Sequence, residues 1–465
     1  MRQGYRLSVP ALTGTALALV LLASSPAPGW ATTLREALVN AYQTNPDLES
    51  SRALLRATDE LVPQALAGYR PSLFLNGGLE AAKGNIGRGN RSGGLDSSQS
   101  SNRTSKQVSL SVRQNLYAGG STAAGVRQAE NQVSAERANL ISTEQQVLLA
   151  AITAYTDVWR DKSVLDLALN NEQRLRRQLR ATRDRFEVGE VARTDVAQAE
   201  ARLSRARADI ETAKANLAAS QAQYRQVIGS DPGVLEDPQP AEGLPPNLEQ
   251  ALAIAANNPD IINATYNLAA AREAVDVAYG TILPSLDLES DLSYADQPNS
   301  TQPWQDEASI GLNLTIPLYQ GGAEYAQIRQ AREQALQIRS TLESSQRSVR
   351  ENVSRTWDQV YAARAAIRSF QDEVKANRIA LEGVQQEALV GSRTVLDVLD
   401  AEQELFTSQV NLVRARRDYV VVTYQLKAAI GELTVDDLKL GIETYNPVVY
   451  YERNRTRLFG LDGAK

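Results

Sequence analysis

The sequence predicts an α+β membrane protein: long coiled-coil helical arms joined to a β-barrel to which each chain contributes four strands. Three observations predict it. A block from Gly119 to Gly229 recurs 202 positions later as Gly321 to Gly431. Inside each copy runs a helical stretch of roughly 65 residues, about 100 Å at 1.5 Å per residue and too long for a globular domain to bury. Ahead of each copy lie two stretches of about ten residues that alternate apolar and polar, the period of a strand with two different faces.

The repeat is an internal duplication. Leu116-Tyr117-Ala118-Gly119-Gly120 returns as Leu318-Tyr319-Gln320-Gly321-Gly322, and Arg127-Gln128-Ala129 as Arg329-Gln330-Ala331. Val188-Gly189 returns as Val390-Gly391, Asp195-Val196 as Asp397-Val398, and Ala199-Glu200 as Ala401-Glu402. An offset that never slips is what paired long helices demand, because one inserted residue would rotate every later side chain by about 100°. Upstream, Leu34-Arg35-Glu36-Ala37-Leu38 matches Leu248-Glu249-Gln250-Ala251-Leu252, and Asn45-Pro46-Asp47 matches Asn258-Pro259-Asp260. Pro71-Ser72-Leu73 likewise matches Pro284-Ser285-Leu286.

Composition narrows the function classes. The 465 residues contain no Cys and no His, one Met and five Phe. By length alone a chain of this size has about two to four domains. Ala, Gln, Arg and Glu crowd the middle of each half, the composition of long helices with small-residue seams. Without Cys there are no disulfides, thiolate metal sites or lipid-attachment cysteine. Without His the commonest general base and zinc ligand are missing. No nucleophile–base pair, phosphate loop or metal spacing stands out, so no catalytic residue, metal or cofactor is assigned. The net charge of −6 is spread in both signs along the helices. No basic stripe marks a nucleic-acid partner.

In chain order, residues 1–31 read as a secretory signal: Arg2 and Arg6, then an apolar run Ala11 to Ala23, with cleavage after Ala31. That run, about 13 residues, is too short to span a bilayer. Its removal with Arg2 and Arg6 takes the net charge from −6 to −8. The first repeat is expected over 32–246, with helices in 33–68, a strand pair in 70–118, a long helix over 119–186, a helix over 192–229 and a linker over 230–246. The second is expected over 247–431, with helices in 248–281, a strand pair in 283–318, a long helix over 321–387 and a helix over 393–431. An equatorial segment and tail occupy 432–465. The Asn-Pro pairs are natural helix stops and restarts.

The strands carry the membrane argument. Leu286, Leu288, Leu292 and Tyr294 share one parity against Ser285, Asp287, Glu289 and Asp291. Trp304, Ala308, Ile310, Leu312, Leu314 and Ile316 oppose Glu307, Ser309, Asn313 and Thr315. Leu73, Leu75, Leu79 and Ala81 oppose Ser72, Asn76 and Glu80; Val108, Leu110 and Val112 oppose Ser109, Ser111 and Arg113. An ordinary half-buried hairpin has the same alternation. The strand length suits a bilayer, and Tyr69, Tyr117, Trp304 and Tyr319 sit near the ends as an interfacial girdle. Gly84 to Ser105, rich in Gly, Ser and Asn, is expected to be an exposed loop.

The long helices keep heptads: Val126, Val133, Leu140, Val147 and Ala154, and again Val353, Val360, Ile367, Val374 and Leu381. Heptads mean left-handed coiled-coil packing. Residues 45–67 supply roughly 35 Å of helix and 192–228 roughly 55 Å, so end to end they nearly match the long helix. Each half then forms a hairpin arm whose tip is the Val-Gly turn. Four strands cannot close a barrel, and open edges are not tolerated in lipid. If these are membrane strands the chain must oligomerise: a dimer would make a filled eight-stranded barrel, and a trimer a twelve-stranded one with a water channel.

Here the residues carry a resemblance. Val390-Gly391-Ser392-Arg393-Thr394-Val395-Leu396-Asp397-Val398-Leu399-Asp400-Ala401-Glu402 resembles the tip signature of the TolC family of outer-membrane efflux and secretion channels. So do Val188-Gly189 with Thr194-Asp195-Val196, and the Leu-Tyr-x-Gly-Gly junctions. The resemblance spans about 33–440 of this sequence. It implies a homotrimer with a β-barrel in outer-membrane lipid, joined to a long α-helical coiled-coil barrel that extends into the periplasm. There a periplasmic adaptor and an inner-membrane ABC or proton-driven transporter would meet the docking tips Val188, Gly189, Val390 and Gly391. It implies export in type I protein secretion, multidrug efflux or both. It also places a periplasmic gate at Asp397 and Asp400, with Arg393, Thr194 and Asp195 as latch partners. Similar members often carry a Tyr three residues before the second tip Gly to latch the closed entrance; here the residue is Ala388.

Asp397 and Asp400 are three apart on a helix and share a face, and a ring of such carboxylates favours cations. Thr394 to Asp397 also has capping-box spacing, which accounts for Asp397 without a gate but not for Asp400. The first-half counterpart of Asp400 is Gln198. The competing readings are a periplasmic coiled-coil adaptor or structural protein, which would normally carry one hairpin inside β-rich domains, and an enzyme on a helical scaffold.

Overall fold

The structure is a computed structural model that describes residues 32–88, 97–298 and 302–460. The expected leader, 1–31, lies outside them.

Local caps start the helices. The Thr33 hydroxyl accepts from the Glu36 amide and the Glu36 carboxylate accepts from the Thr33 amide, each at 3.1 Å, which opens α1 (Leu34–Thr44). Asn45 then ends α1 and caps α2 (Pro46–Asp59), with Pro46 at the first helical position. One helix is expected over 45–67, but the chain breaks at Glu60 and resumes as α3 (Leu61–Leu66). Pro63 explains the break, because it has no N–H for the carbonyl of Asp59 and its ring crowds that group.

The first strand pair is β1 (Ser72–Arg88) and β2 (Ser97–Ala118). The antiparallel ladder runs to Arg88 opposite Ser97, well into the Gly84–Ser105 stretch expected as loop. Ladder hydrogen bonds come from the backbone, so a Gly/Ser/Asn-rich sequence can pair without apolar side chains. Residues 89–96 lie outside the described residues.

Next come α4 (Ser121–Glu187) and α5 (Arg193–Ile228). At 67 residues, α4 is about 100 Å long. Its first part packs on α2 and α3 and its second part on α5. Val133, Leu140, Val147 and Ala154 of its heptad are buried, and Val126 is partly so. The second half supplies α6 (Leu248–Ala255), α7 (Pro259–Gly280), β3 (Ser285–Asp296), β4 (Trp304–Thr315), α8 (Ala323–Leu389) and α9 (Val395–Ile430). The long helix α8 also has 67 residues, and α5 and α9 have 36 each. In one part of the molecule α7 lies between α4 and α8; in the other α9 does.

The largest core lies midway, where α1, α2 and α4 meet the segment after α9: Leu48, Leu148, Ile152, Tyr155 and Leu433 are all buried there. The Tyr155 hydroxyl reaches the carbonyls of Thr32 and Glu236 at 2.8 and 3.0 Å. The chain then returns along α2 as α10 (Pro447–Asn454).

All four strands form one antiparallel sheet in the order β1-β2-β3-β4. Its register gathers the apolar residues on one face: Leu75 opposite Leu110, Leu110 opposite Leu292, Leu288 opposite Leu312. Nothing among the described residues covers that face, and Leu75 and Ile310 are 74% and 76% exposed. A bulge between Asn115 and Tyr117 shifts Tyr117 onto the apolar parity, opposite Leu286. The other face is charged. Arg113 pairs with Asp287 at 3.3 Å and Glu289 at 3.6 Å. No helix among the described residues is long and apolar enough to cross a membrane.

Candidate entrance and docking site

The two arm tips are built alike. At the first, the amides of Gly189 and Glu190 donate to the carbonyls of Phe186 and Arg185. At the second, the amides of Gly391 and Ser392 donate to Ala388 and Glu387. This pairing closes a helix only if the residue after the cap is left-handed, and Gly189 and Gly391 have φ of +79° and +80°. The turns lift Val188 and Val390 into solvent, 72% and 80% exposed.

The helices restart on carboxylates. Asp397 accepts from the Thr394 amide at 2.9 Å and its hydroxyl at 2.8 Å, while the Asp397 amide donates back to that hydroxyl. These donors, the backbone amide first, hold the Asp397 carboxyl below its ordinary value. In the first arm Asp195 accepts from the Ala192 amide at 3.0 Å. Ala192 has no side-chain acceptor to return, so only half of the box exists there. Asp397 and Asp195 are therefore both helix caps, whatever else they do.

Arg393 bends back across its turn to Glu387 at 2.9 Å, a bond that raises its pKa. Among the described residues no hydrogen bond or ion pair joins Arg393 to Thr194 or Asp195. Asp400 projects from α9 to Arg202 of α5 at 2.5 Å. Two residues on, Glu402 is buried and takes Arg174 of α4 at 2.7 Å and the Gln385 side-chain amide of α8 at 3.3 Å. Asp400 and Glu402 thus sit on α9 where it crosses the first arm.

Sequence reasoning missed Arg202 and Arg174, which are distant in sequence from their partners. A signal existed for Arg202: at the repeat offset it stands against Glu404, a charge reversal between the halves. Glu200 shows the simpler first-half version, pairing with Arg183 across α4 and α5. Glu402 and Gln385 hold the corresponding positions. Among the described residues no group of three or more acidic side chains could hold a metal ion.

The sequence profile of the outer membrane efflux protein family matches residues 37–230 and 250–432. The chain is 39% identical over 449 residues to the outer membrane efflux protein BepC of Brucella suis biovar 1, covering 96% of each chain. It is 30% identical over 428 residues to the outer membrane protein TolC of Vibrio cholerae serotype O1, covering 88% of this chain and 93% of that one. The crystal structure of the Campylobacter jejuni CmeC outer membrane channel has the same fold, with a TM-score of 0.76 over 97% of both chains at 16% identity. With a profile match over most of its length and close relatives along nearly all of it, the chain belongs to the outer membrane efflux protein family, whose members are bacterial outer-membrane export channels.

Proposed function

We propose that three copies of this chain close into a twelve-stranded barrel in the outer membrane, continued by a helical tunnel into the periplasm. The observation that carries this is the sheet. It has two unpaired edges, β1 and β4, and an uncovered apolar face. Edges are intolerable in hydrocarbon, and four strands are too few to close alone. Pairing β4 of one copy with β1 of the next satisfies the edges, turns the apolar face to lipid and the Arg113–Asp287 face to water. The chain is read as two repeats, 32–246 and 247–431, followed by an equatorial segment from 432. The two matched segments of the family profile support that division.

The duct does no chemistry of its own. It carries substrates of type I protein secretion, multidrug efflux or both. Val188, Gly189, Val390 and Gly391 dock onto a periplasmic adaptor, and through it onto an inner-membrane ABC or proton-driven transporter. Asp397 and Asp400 ring the periplasmic entrance, with Arg393, Thr194 and Asp195 as latch partners. Native mass spectrometry of the detergent-solubilised protein tests the assembly, and a trimer is expected. A monomer or dimer that still conducts ions in planar bilayers overturns it.

A further inference from the structure

We propose that the protein binds a phosphate-type oxyanion in a pocket between α1, α2 and the C-terminal segment, far from both tips. A cavity of about 570 Å3 opens there, lined by Arg52, Arg56, Arg453, Tyr42, Tyr445 and Tyr450. Glu443 is the one carboxylate in its wall.

Arg52 is the key residue. Its side chain is only 12% exposed, and its guanidinium lies 4.7 Å from the Tyr42 ring centre and 5.5 Å from that of Tyr445. One terminal nitrogen donates to the Tyr42 carbonyl at 3.4 Å and the other faces Glu49 at 3.5 Å. Its Nε is buried and donates to nothing. A buried charged donor without an acceptor is costly, and proteins rarely leave one unanswered. The Arg52 side chain lines the cavity together with two more guanidiniums. Arg56 spends one nitrogen on Glu49 at 3.0 Å, and Glu49 is 61% exposed and outside the cavity wall. Arg453 makes no hydrogen bond or ion pair among the described residues.

Three guanidiniums and one carboxylate line this cavity, a set that suits a tetrahedral oxyanion, which can accept from several planar N–H forks at once. Tyr42, Tyr445 and Tyr450 share the same wall. The ligand would bridge Arg52 and Arg56 of α2 to Arg453 of α10, tying the C-terminal helix to the body. Its source is either free phosphate or the phosphate of a lipid headgroup.

The test uses full-length protein in detergent, titrated with inorganic phosphate against sodium chloride at matched ionic strength. The readouts are 31P line broadening and the thermal midpoint. Saturable broadening and a midpoint rise specific to phosphate are expected. Arg453→Gln should keep the ligand-free midpoint and weaken binding by about tenfold, the loss of one charged contact. Arg56→Gln is the second variant, expected to weaken binding in the same way. A short-chain phosphatidylglycerol arm separates the sources: tighter binding than phosphate assigns a headgroup, equal or weaker binding a free anion. A phosphate response no larger than that of chloride overturns the proposal, as does wild-type binding in both variants.

Discussion

Asn258 donates a buried 2.9 Å hydrogen bond from its side-chain amide to the carbonyl of Ala429. The same side chain accepts from the Asp260 amide at 2.9 Å. It therefore caps the start of α7 and the end of α9 together, and sets the two helices in line along α8. Asn45 does the same in the first half, capping α2 and donating to Val227 of α5 at 3.0 Å. Asn258→Ala should cost about 1–3 kcal/mol, because it strands a buried carbonyl and removes an N-cap. Urea unfolding followed by circular dichroism measures it. An unchanged midpoint would mean that water replaces the amide.

Asp59 gives a pH prediction. It is 2% exposed, neither carboxylate oxygen has a hydrogen-bond partner, and burial pushes its pKa up to about 6 from an ordinary 3.8. The nearby Arg137 opposes the shift, and Glu60 adds to it. A raised folded value means that the contribution to stability is full below pH 4 and is lost as pH rises towards 6. The loss is on the order of 3 kcal/mol. Asp59→Asn should flatten this part of the profile and exceed the wild type in stability at pH 7.5. Urea midpoints at pH 4.5 and 7.5 decide it, and an unaltered slope in the variant would assign the dependence to other groups.

If Asp400 rings the entrance as proposed, its pairing with Arg202 offsets the entrance charge. Asp400 is half exposed, so the pair contributes under about 1 kcal/mol to stability. Arg202→Gln should leave assembly intact and raise cation selectivity in planar bilayers. The double variant Asp397→Asn, Asp400→Asn should lower selectivity and weaken block by divalent cations from the periplasmic side. Unaltered selectivity in the double variant would move the constriction elsewhere, most plainly to the polar face of the sheet.

At the second tip, Gly391→Asp should leave the number of copies unchanged while abolishing adaptor cross-linking and export. An added Cβ there meets nothing within 4 Å, so only the left-handed backbone and the outer surface change. Export at normal assembly levels would show that docking does not depend on this turn.

The element order was legible in the sequence, for reasons that are local. Heptad spacing around Val133 and Leu140, parity around Leu286 and Leu312, and the stops at Asn45-Pro46 and Asn258-Pro259 each report on a backbone that repeats every few residues. Strand ends were less legible at Gly84–Ser105, because ladder hydrogen bonds leave no mark on side-chain pattern. The break before Pro63 was passed over within a helical composition.

By itself, then, the sequence determined the helices, the strand faces, the Gly-closed tips and the Thr394–Asp397 cap, all interactions within a turn or two of chain. Only the tertiary structure decided which charges meet across arms. Arg174 reaches Glu402 and Arg202 reaches Asp400 over separations of 228 and 198 residues. Such pairs depend on how α9 lies across α4 and α5. Long-range helix placement comes from summed burial along whole helices, and no short motif encodes it.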